Sequence, residues 1–437
     1  MQDPHIEELG ALERRVNLSV ELQAVEFEVA NRLKHIARTV RLDGFRHGKV
    51  PMKLVERQYG GEVRQEVLAR AIEQVFSQTV EKQKLKVAGF PRIEPKAEPS
   101  AEGLFEFQAL FEIYPQIEIG SLADKEIVRP QVTMGEAEVD KTLDVLAKQR
   151  VRYVVQPRPA QAGDRVTLDF VGRIDGETFP GGEGSNMTLV IGAGRALPEF
   201  ENGLTGMSAG ERKTVDVPFP EDYHAKELAG KTAQFELAVH EVAEPVLPAI
   251  DAEFARNLGI ADGDVTALRS EILGNLEREV RQRVRSQVRD QVMQLLLDTT
   301  SFEVPKTLVQ AEAARLMDQA RKEMQGRGMD VAGDTLPVAL MEQQAHRRVA
   351  LGLILSEIVQ EHQLTARSGQ VMQMIEELAQ SYEDPDSVIA WYRDTPEKMQ
   401  EITSLALEEN VVDWVLGQVR VTDQPTSFEE LMGRSKA

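Results

Sequence analysis

The chain contains no cysteine among its 437 residues. Disulfides, thiolate metal sites and cysteine nucleophiles are therefore excluded. No stretch of about 18 uninterrupted apolar residues occurs, so we expect no ordinary membrane-spanning helix and no membrane partner. The first five residues, Met-Gln-Asp-Pro-His, lack a basic region followed by an apolar run, which predicts that there is no secretory signal. These absences together predict a soluble protein of a reducing compartment, the cytoplasm.

Sites for metals, cofactors and nucleotides are also missing from the sequence. The seven histidines show no metal-ligand spacing, and no Gly-x-x-x-x-Gly-Lys-Ser/Thr phosphate loop is present. Asp262-Gly263-Asp264 has the opening of a calcium loop, but the later ligands do not follow, so we expect a turn and a helix start there. We therefore expect no metal, no cofactor and no ATP-driven cycle.

The net charge of −21 would repel nucleic acid if it were spread evenly along the chain. The first 115 residues are nearly neutral, however, and within them residues 32–57 are strongly basic. The cations of this segment face only Asp43 and Glu56, and they are Arg32, Lys34, Arg38, Arg41, Arg46, Lys49, Lys53 and Arg57. A basic end on an acidic protein indicates docking to an RNA-rich particle; the alternative is a solvated cationic helix face.

The most distinctive stretch, Gly-Phe-Arg-His-Gly-Lys-Val-Pro, occupies residues 44–51 of the basic segment. Its two glycines permit a tight projecting loop, and Pro51 suits the first turn of a following helix. An apolar Phe45 beside the cations Arg46 and Lys49 indicates a docking tip, because large apolar side chains normally turn inward. The alternative is a connector whose Phe45 packs into a local core.

This octet resembles the ribosome-binding signature of the bacterial trigger factor family, and the resemblance extends along essentially the whole chain. It implies a ribosome-binding site near the exit for nascent chains, with ribosomal protein and RNA as partners. The residues that it assigns to this site are Gly44, Phe45, Arg46, His47, Gly48, Lys49 and Pro51. Members of the family often carry a lysine where this sequence has His47, so one contact differs here.

The middle of the chain has an all-β pattern. Val166, Leu168 and Phe170 alternate with polar residues, Asp175-Gly176 predicts a hairpin turn, and Gly181-Gly182 predicts another break. The order of motifs from Gly163 to Arg212 resembles prolyl isomerases of the FK506-binding-protein type (FKBP). That resemblance implies an apolar catalytic pocket lined by Phe170, Phe179, Leu197, Phe200, Tyr223 and Phe235. Phe200 and Pro180 depart from the family pattern, where tryptophan and an acidic residue are common.

Such residues suit the isomerisation of an X-Pro peptide bond. Rotation about a peptide bond costs about 18–20 kcal/mol because amide resonance must be broken, and no nucleophile is required. A dry aromatic pocket favours the twisted amide, whose charge separation is smaller than that of the planar form. The alternative is that these aromatic residues only fill a small β core.

Hydrophobic periodicity divides the remaining chain into strands and helices. We predict strands at 16–22, 87–93 and 105–113, and helices at 24–40, 52–59, 62–85 and 136–149. The fold class is therefore a multidomain α+β protein with an α+β N-terminal docking domain, an FKBP-like antiparallel β module with a short helix, and an all-helical C-terminal chaperone domain. The predicted boundaries are 1–115, a connector at 116–149, 150–246 and 247–437.

The C-terminal part has helical patterns at 306–325, 338–360, 370–382 and 398–419. Before them, apolar residues recur every four positions from Leu268 to Leu296, so the stripe winds around a long helix that must pack on different neighbours along its length. Methionine is frequent here, as at Met317, Met324, Met329, Met341, Met372 and Met374. Its adaptable side chain suits promiscuous binding, and ordinary core filling is the alternative.

These patterns predict an ATP-independent chaperone that docks on the ribosome, shields unfolded nascent polypeptides and catalyses prolyl isomerisation. One alternative is a free FKBP-type isomerase whose helices serve for dimerisation, and a homodimer in the absence of ribosomes stays open. A second is an exported chaperone-isomerase, and a third is a scaffold whose isomerase module is inactive.

Overall fold

The structure, a computed structural model, describes residues 5–41, 45, 50–96, 103–223, 225–328, 338–380, 382 and 384–433. The chain forms two compact units. The first joins Met1–Arg129 to Ser286–Asp423, and the second joins Pro130–Arg285 to Gln424–Ala437. Residues of the predicted C-terminal domain thus contribute to both units. The predicted domain boundaries stay a prediction.

An α+β lobe forms the N-terminal part of the first unit. Its elements are β1 (Ile6–Glu8), β2 (Glu13–Glu21), α1 (Leu22–Thr39), α2 (Met52–Lys82), β3 (Val87–Pro95) and β4 (Leu104–Ile113). The strands form an antiparallel sheet in the order β1-β2-β4-β3. Alternate residues Val16, Leu18 and Val20 of β2 are buried, and they share a core with one face of α1 and α2. This is the period-two pattern that the sequence predicts.

Helix α2 corrects the prediction of two separate helices. It runs without a break through Gly60 and Gly61, where the sequence predicts an interruption. A glycine inside a helix costs about 1 kcal/mol relative to alanine. The burial of Val55 and Val63 on either side of the pair offsets that cost and keeps the helix continuous.

The second unit contains the β module. Its elements are α3 (Glu136–Gln149), β6 (Arg152–Val155), β7 (Arg165–Ile174), β8 (Glu177–Val190), α4 (Pro198–Leu204), β9 (Arg212–Pro218) and β10 (Thr232–Val246), and the strand β5 (Glu126–Gln131) precedes them. The sheet has the order β6-β10-β7-β8, and β9 also pairs with β10. The predicted hairpin turn is confirmed, since Asp175 and Gly176 both have positive φ between β7 and β8.

The break predicted at Gly181-Gly182 is wrong, because β8 continues through both glycines. The pairing of β8 with β7 shifts register between Thr178 and Glu183, so these residues form a bulge. Gly181 has a φ of +82°, which glycine adopts at little cost. A positive φ therefore bends the strand here without ending it.

Helices dominate the chain after β10. They are α5 (Ala252–Asn257), α6 (Val265–Thr299), α7 (Lys306–Gly326), α8 (Val338–Glu361), α9 (Ser368–Ala379), α10 (Pro385–Asp394) and α11 (Pro396–Leu416), and β11 (Arg420–Pro425) and α12 (Phe428–Leu431) follow. The four predicted C-terminal helices are found as α7, α8, α9 and α11. The sequence analysis missed α5, α10 and β11, the strand that pairs with β5. Within the described ranges, no helix combines the length and the hydropathy of a membrane span.

The long helix α6 has the winding stripe that the four-residue spacing predicts. Leu268, Ile272 and Leu276 are buried against α3 and α5 in the second unit. Further along, Val292 and Leu296 are fully buried in the part of α6 that belongs to the first unit. Asp264 accepts a hydrogen bond from the N–H of Thr266, so the predicted turn and helix start are found.

Within the first unit, the lobe fixes the start of α7. Glu112 of β4 accepts hydrogen bonds from the backbone N–H groups of Lys306 (3.1 Å) and Thr307 (2.7 Å). These are orphan donors of the first turn, and Pro305 at the N-cap has no side-chain acceptor for them. Gly89 of β3 lies so close that a Cβ atom there would be 2.5 Å from Thr307 Cγ2.

We predict that Gly89→Ala destabilises the first unit more than Gly103→Ala does. Both glycines have positive φ, so both substitutions strain the backbone, but among the described residues only Gly89 has an atom within van der Waals distance of the added Cβ. The additional overpacking should cost about 1–3 kcal/mol. Urea unfolding followed by tryptophan fluorescence measures this difference, because Trp391 and Trp414 both lie in the first unit. An equal decrease in the free energy of unfolding in the two variants would show that the contact with Thr307 does not matter.

Candidate functional site

A cavity of about 520 Å³ lies in the β module of the second unit. The strands β7, β8, β9 and β10, the helix α4, the segment before α4 and the segment after β9 contribute its walls. All six residues that the sequence analysis assigns to a pocket line this cavity: Phe170, Phe179, Leu197, Phe200, Tyr223 and Phe235. The structure therefore brings together side chains that are up to 65 positions apart in the chain. Their catalytic role stays a prediction.

Phe235 of β10 is the centre of the aromatic cluster. Its ring centroid lies 5.3 Å from that of Phe200, and 6.0 Å from those of Phe170 and Phe179. Phe170 and Phe200 also meet edge to face at 5.6 Å. Edge-to-face pairs at such distances contribute about 0.5–1.5 kcal/mol beyond the burial of their area. The rings therefore hold one another in fixed orientations.

Burial divides these side chains into two groups. Phe200 and Phe235 are only 5% and 6% exposed and belong to the core of the module. Phe170, Phe179 and Tyr223 are half-buried and pack against that core. Core filling and pocket lining, which the sequence analysis weighed as alternatives, thus apply to different faces of one cluster.

Two glycines make room for the rings. A Cβ atom at Gly172 would lie 2.5 Å from Phe235 Cε1, and one at Gly184 would lie 2.4 Å from Phe170 Cε1. Gly172 is on β7 and Gly184 on the paired strand β8. Any larger residue would displace a ring, because no rotamer change can move an aromatic ring away from a rigid backbone neighbour without disturbing the packed cluster.

The sequence analysis missed Phe219, a lining residue that is 6% exposed. Its ring lies 4.8 Å from Tyr223 and 6.0 Å from Phe179, so it connects the two half-buried aromatics. The signal was available, since Val215, Val217 and Phe219 alternate along and just beyond β9. Met187, Leu189, Val217 and Leu228 complete the apolar wall.

The electrostatics of the cavity are simple. Among its described lining residues, Arg195 alone carries a charge, and it is exposed. Pro180 also lines the cavity, at the position where the FKBP family often has an acidic residue. The described lining offers neither a carboxylate nor a histidine, which suits a reaction that forms and breaks no covalent bond.

The predicted ribosome-binding loop is described only in part. Phe45 is 43% exposed, which agrees with a projecting tip, and Pro51 immediately precedes α2. Gly44, Arg46, His47, Gly48 and Lys49 lie outside the described residues. At the neighbouring helix ends Met52 is 40% and Leu54 is 38% exposed.

Exposed cations surround this loop. Among the described side chains of this end of the lobe, five have no ion-pair partner that is itself described: Lys34, Arg38, Arg41, Lys53 and Arg57. Arg32, by contrast, pairs with Glu66. These five cations are exposed, and exposed cations can contact phosphates.

The helical part of the first unit carries exposed apolar side chains on α9, α10 and α11 and on the segment between α9 and α10. Trp391 is 52% and Tyr382 is 56% exposed, and Leu378 and Leu405 are each 41% exposed. The methionines contribute less to this surface than the sequence suggests. Met317, Met324, Met341, Met372 and Met374 are half-buried, and Met329 lies outside the described residues.

Comparisons with known proteins agree with these features. Models of bacterial trigger factor protein match residues 3–146 and, for its C-terminus, residues 264–417. A model of FKBP-type peptidyl-prolyl cis-trans isomerase matches residues 156–240. The trigger factors of Nitrosospira multiformis and Chromobacterium violaceum are each 50% identical to the chain. The match to the Nitrosospira protein covers 99% of this chain and 99% of that protein. The match to the Chromobacterium protein covers 98% of each.

A solved structure from work on promiscuous substrate recognition by the trigger factor chaperone covers 94% of this chain and 99% of its own. It is 16% identical and superimposes with a TM-score of 0.45.

We predict a graded response to alanine at the glycines that face the rings. Gly184→Ala should lower the melting temperature of the module more than Gly182→Ala, because a Cβ atom at Gly182 would be no closer than 3.0 Å to Phe179. The expected difference in the free energy of unfolding is about 1–3 kcal/mol. Hydrogen exchange of the β7 and β8 amides in the full-length protein measures it. Equal protection in both variants would show that the rings can move aside.

Proposed function

The chain belongs to the bacterial trigger factor family, and we propose on this basis that it is an ATP-independent chaperone of the cytoplasm that docks on ribosomes, shields nascent chains and isomerises X-Pro bonds. An FKBP-type isomerase domain is present at residues 156–240. The observation that carries the proposal of activity is the aromatic cavity. Six side chains placed there by the resemblance converge around a single space of about 520 Å³. That volume is sufficient for a prolyl side chain and its neighbours.

The cavity can catalyse this reaction through the apolar environment that it gives the substrate. An X-Pro bond interconverts over tens to hundreds of seconds in water, because rotation must break amide resonance. In the twisted amide the carbonyl oxygen bears less charge than in the planar form. The twisted form therefore loses less hydration free energy when it leaves water for the cavity. The buried rings of Phe200 and Phe235 supply a rigid apolar floor, and the half-buried rings leave a route for the substrate. No residue needs to form a covalent bond.

Docking is proposed for the end of the lobe that bears Phe45. The exposed aromatic ring and the exposed cations nearby match a surface of ribosomal protein and RNA. The rest of the protein is acidic, with a net charge of −21, and would be repelled by RNA. We propose that this end makes the contact near the nascent-chain exit. A homodimer in the absence of ribosomes is compatible with the same exposed surface.

The client surface is proposed for α9, α10 and α11. Exposed Trp391, Tyr382, Leu378 and Leu405 offer apolar contacts for unfolded segments. Exposed acidic residues nearby, such as Glu376 and Glu377, keep that surface solvated. Shielding of this kind requires no nucleotide, since it depends on mass action between client and surface.

We predict that replacing Phe45, Arg46 and Lys49 with alanine abolishes co-sedimentation with ribosomes. The matched control replaces Phe90, Arg92 and Lys96, which are an exposed aromatic and two cations elsewhere on the same lobe. Phe90 is 92% exposed, so the control removes at least as much exposed apolar surface. The control should bind ribosomes as the natural protein does. Equal binding by both variants would remove the loop from the proposal.

We predict that Phe200→Ala lowers kcat/KM for an X-Pro peptide at least about tenfold, since the substrate loses the floor that orients it. Phe254→Ala is the matched control, because Phe254 is equally buried in the same unit but packs against α3 and α6. The assay is run with the full-length protein at a temperature at which circular dichroism shows both variants folded. If kcat/KM fell similarly in both variants, the effect would be one of stability. If kcat/KM did not fall in Phe200→Ala, the inactive scaffold would be favoured.

A further inference from the structure

The β module contains two buried carboxylates, Asp164 at 2% exposure and Glu201 at 6%. Asp164 is paired with Arg158 through two hydrogen bonds of 2.7 and 3.0 Å, so its charge is met by a cation. No cation is paired with Glu201 among the described residues. A buried charge without a counter-ion is expensive unless hydrogen bonds compensate it, so its retention requires an explanation.

Backbone N–H groups of one short turn satisfy Glu201. Its carboxylate oxygens accept hydrogen bonds from the backbone N–H groups of Gly192 (2.8 Å) and Ala196 (3.1 Å). Burial alone raises the pKa of Glu201, but the backbone N–H groups of residues 192–196 outweigh that effect and hold the pKa below its ordinary value. Glu201 is therefore ionised at neutral pH and binds the turn as an anion.

The turn is built to surround an anion. Gly192 and Gly194 have φ of +86° and +67°, and the positive φ at alternate residues lets successive N–H groups converge on one point. Chain neighbours aside, no atom of the described residues lies within 4 Å of where a Cβ atom of either glycine would be. Glycine is thus required here for the backbone conformation and not for space.

The same turn forms part of the wall of the cavity. Arg195, Ala196 and Leu197 line the cavity, and Leu197 leads directly into α4, which carries Phe200 and Glu201 as neighbours. The Glu201 carboxylate lies under the turn, whereas the Phe200 ring forms the floor of the cavity. One seven-residue helix therefore supplies the floor and ties down the adjacent wall.

We propose that Glu201 is a positioning residue of the isomerase pocket, whose carboxylate holds the turn of residues 192–196 so that Arg195, Ala196 and Leu197 stand in place to receive a prolyl substrate. The inference rests on the proposed isomerase activity. Glu201 itself does not line the cavity, so it acts through the turn. It sets the shape of the wall against which the substrate binds.

The test compares two pairs of variants in the full-length protein. Glu201→Gln keeps the size of the side chain, but its amide group can accept fewer hydrogen bonds and turns N–H donors toward the N–H groups of the turn. Asp164→Asn is its control, since it weakens the other buried carboxylate, whose partners Arg158 and Gln161 lie outside the cavity lining. Gly194→Ala strains the turn directly. Gly210→Ala is its control, with a φ of +86°, equally open space and a position away from the cavity.

For Glu201→Gln and Gly194→Ala we expect kcat/KM for an X-Pro peptide to fall about tenfold or more, mainly through a higher KM, at a temperature where all variants are folded. We also expect the amides of Gly192 and Ala196 to exchange hydrogen at least about tenfold faster, because Glu201→Gln removes their charged acceptor and Gly194→Ala distorts the turn that holds them against it. The two controls, Asp164→Asn and Gly210→Ala, should lower the melting temperature but leave kcat/KM and the exchange rates of these amides unchanged.

Unchanged KM and unchanged exchange in Glu201→Gln would overturn the positioning role. If Asp164→Asn lowered kcat/KM as much as Glu201→Gln does, the positioning role would be overturned as well, because a loss of stability alone would then account for both decreases. These outcomes differ from a failure of the proposed activity, in which the natural protein shows no rate above the uncatalysed exchange.

Discussion

The candidate active site depends on the contact of aromatic rings with bare backbone. Phe235 and Phe170 reach their positions because Gly172 and Gly184 present no side chain where the rings lie, at 2.5 and 2.4 Å from the places of the missing Cβ atoms. The rings then lock one another at centroid distances between 5.3 and 6.0 Å. A floor of this kind is apolar and closely packed. These are the properties by which an environment without reactive groups can favour a twisted amide.

The second constraint is the buried charge of Glu201. Backbone N–H groups of one turn satisfy this charge, and the same turn forms one wall of the cavity. The floor is thus held by apolar packing and the wall by charged hydrogen bonds. Hydrogen bonds to an ionised group are roughly twice as strong as neutral ones, so a short turn with two positive-φ glycines can still be well ordered.

Much of the fold follows from periodicity in the sequence. The alternation in β2 and β7, the hairpin turn at Asp175-Gly176 and the four-residue spacing along α6 all predict elements that are present. The elements that were predicted wrongly or missed have identifiable physical causes. Gly60 and Gly61 carry a strong helix-breaking signal, but burial of Val55 and Val63 overrides it. The strand β11 could not be predicted from its own residues, since its pairing with β5 joins segments almost 300 positions apart.

The candidate site was predictable in a different way. The six pocket residues came from a resemblance to a family, because no periodicity indicates that Phe170 and Phe235 face one cavity. Phe219 was missed although its strand alternates, since alternation gives the face of a strand but not what that face meets. Glu201 had no signal in the sequence at all. Its importance depends on burial and on the N–H groups that surround it, and both exist only in the folded chain.

If the aromatic cavity binds prolyl segments, a short X-Pro peptide should perturb the rings that line it. An NMR titration of the full-length protein, labelled at phenylalanine and tyrosine rings, with such a peptide tests this directly. We expect the signals of Phe170, Phe179, Phe200, Phe219, Tyr223 and Phe235 to shift together with one dissociation constant, and a peptide with alanine in place of proline to shift them much less. Shifts confined to rings outside the cavity, such as Phe254, or equal shifts with the alanine peptide, would contradict it.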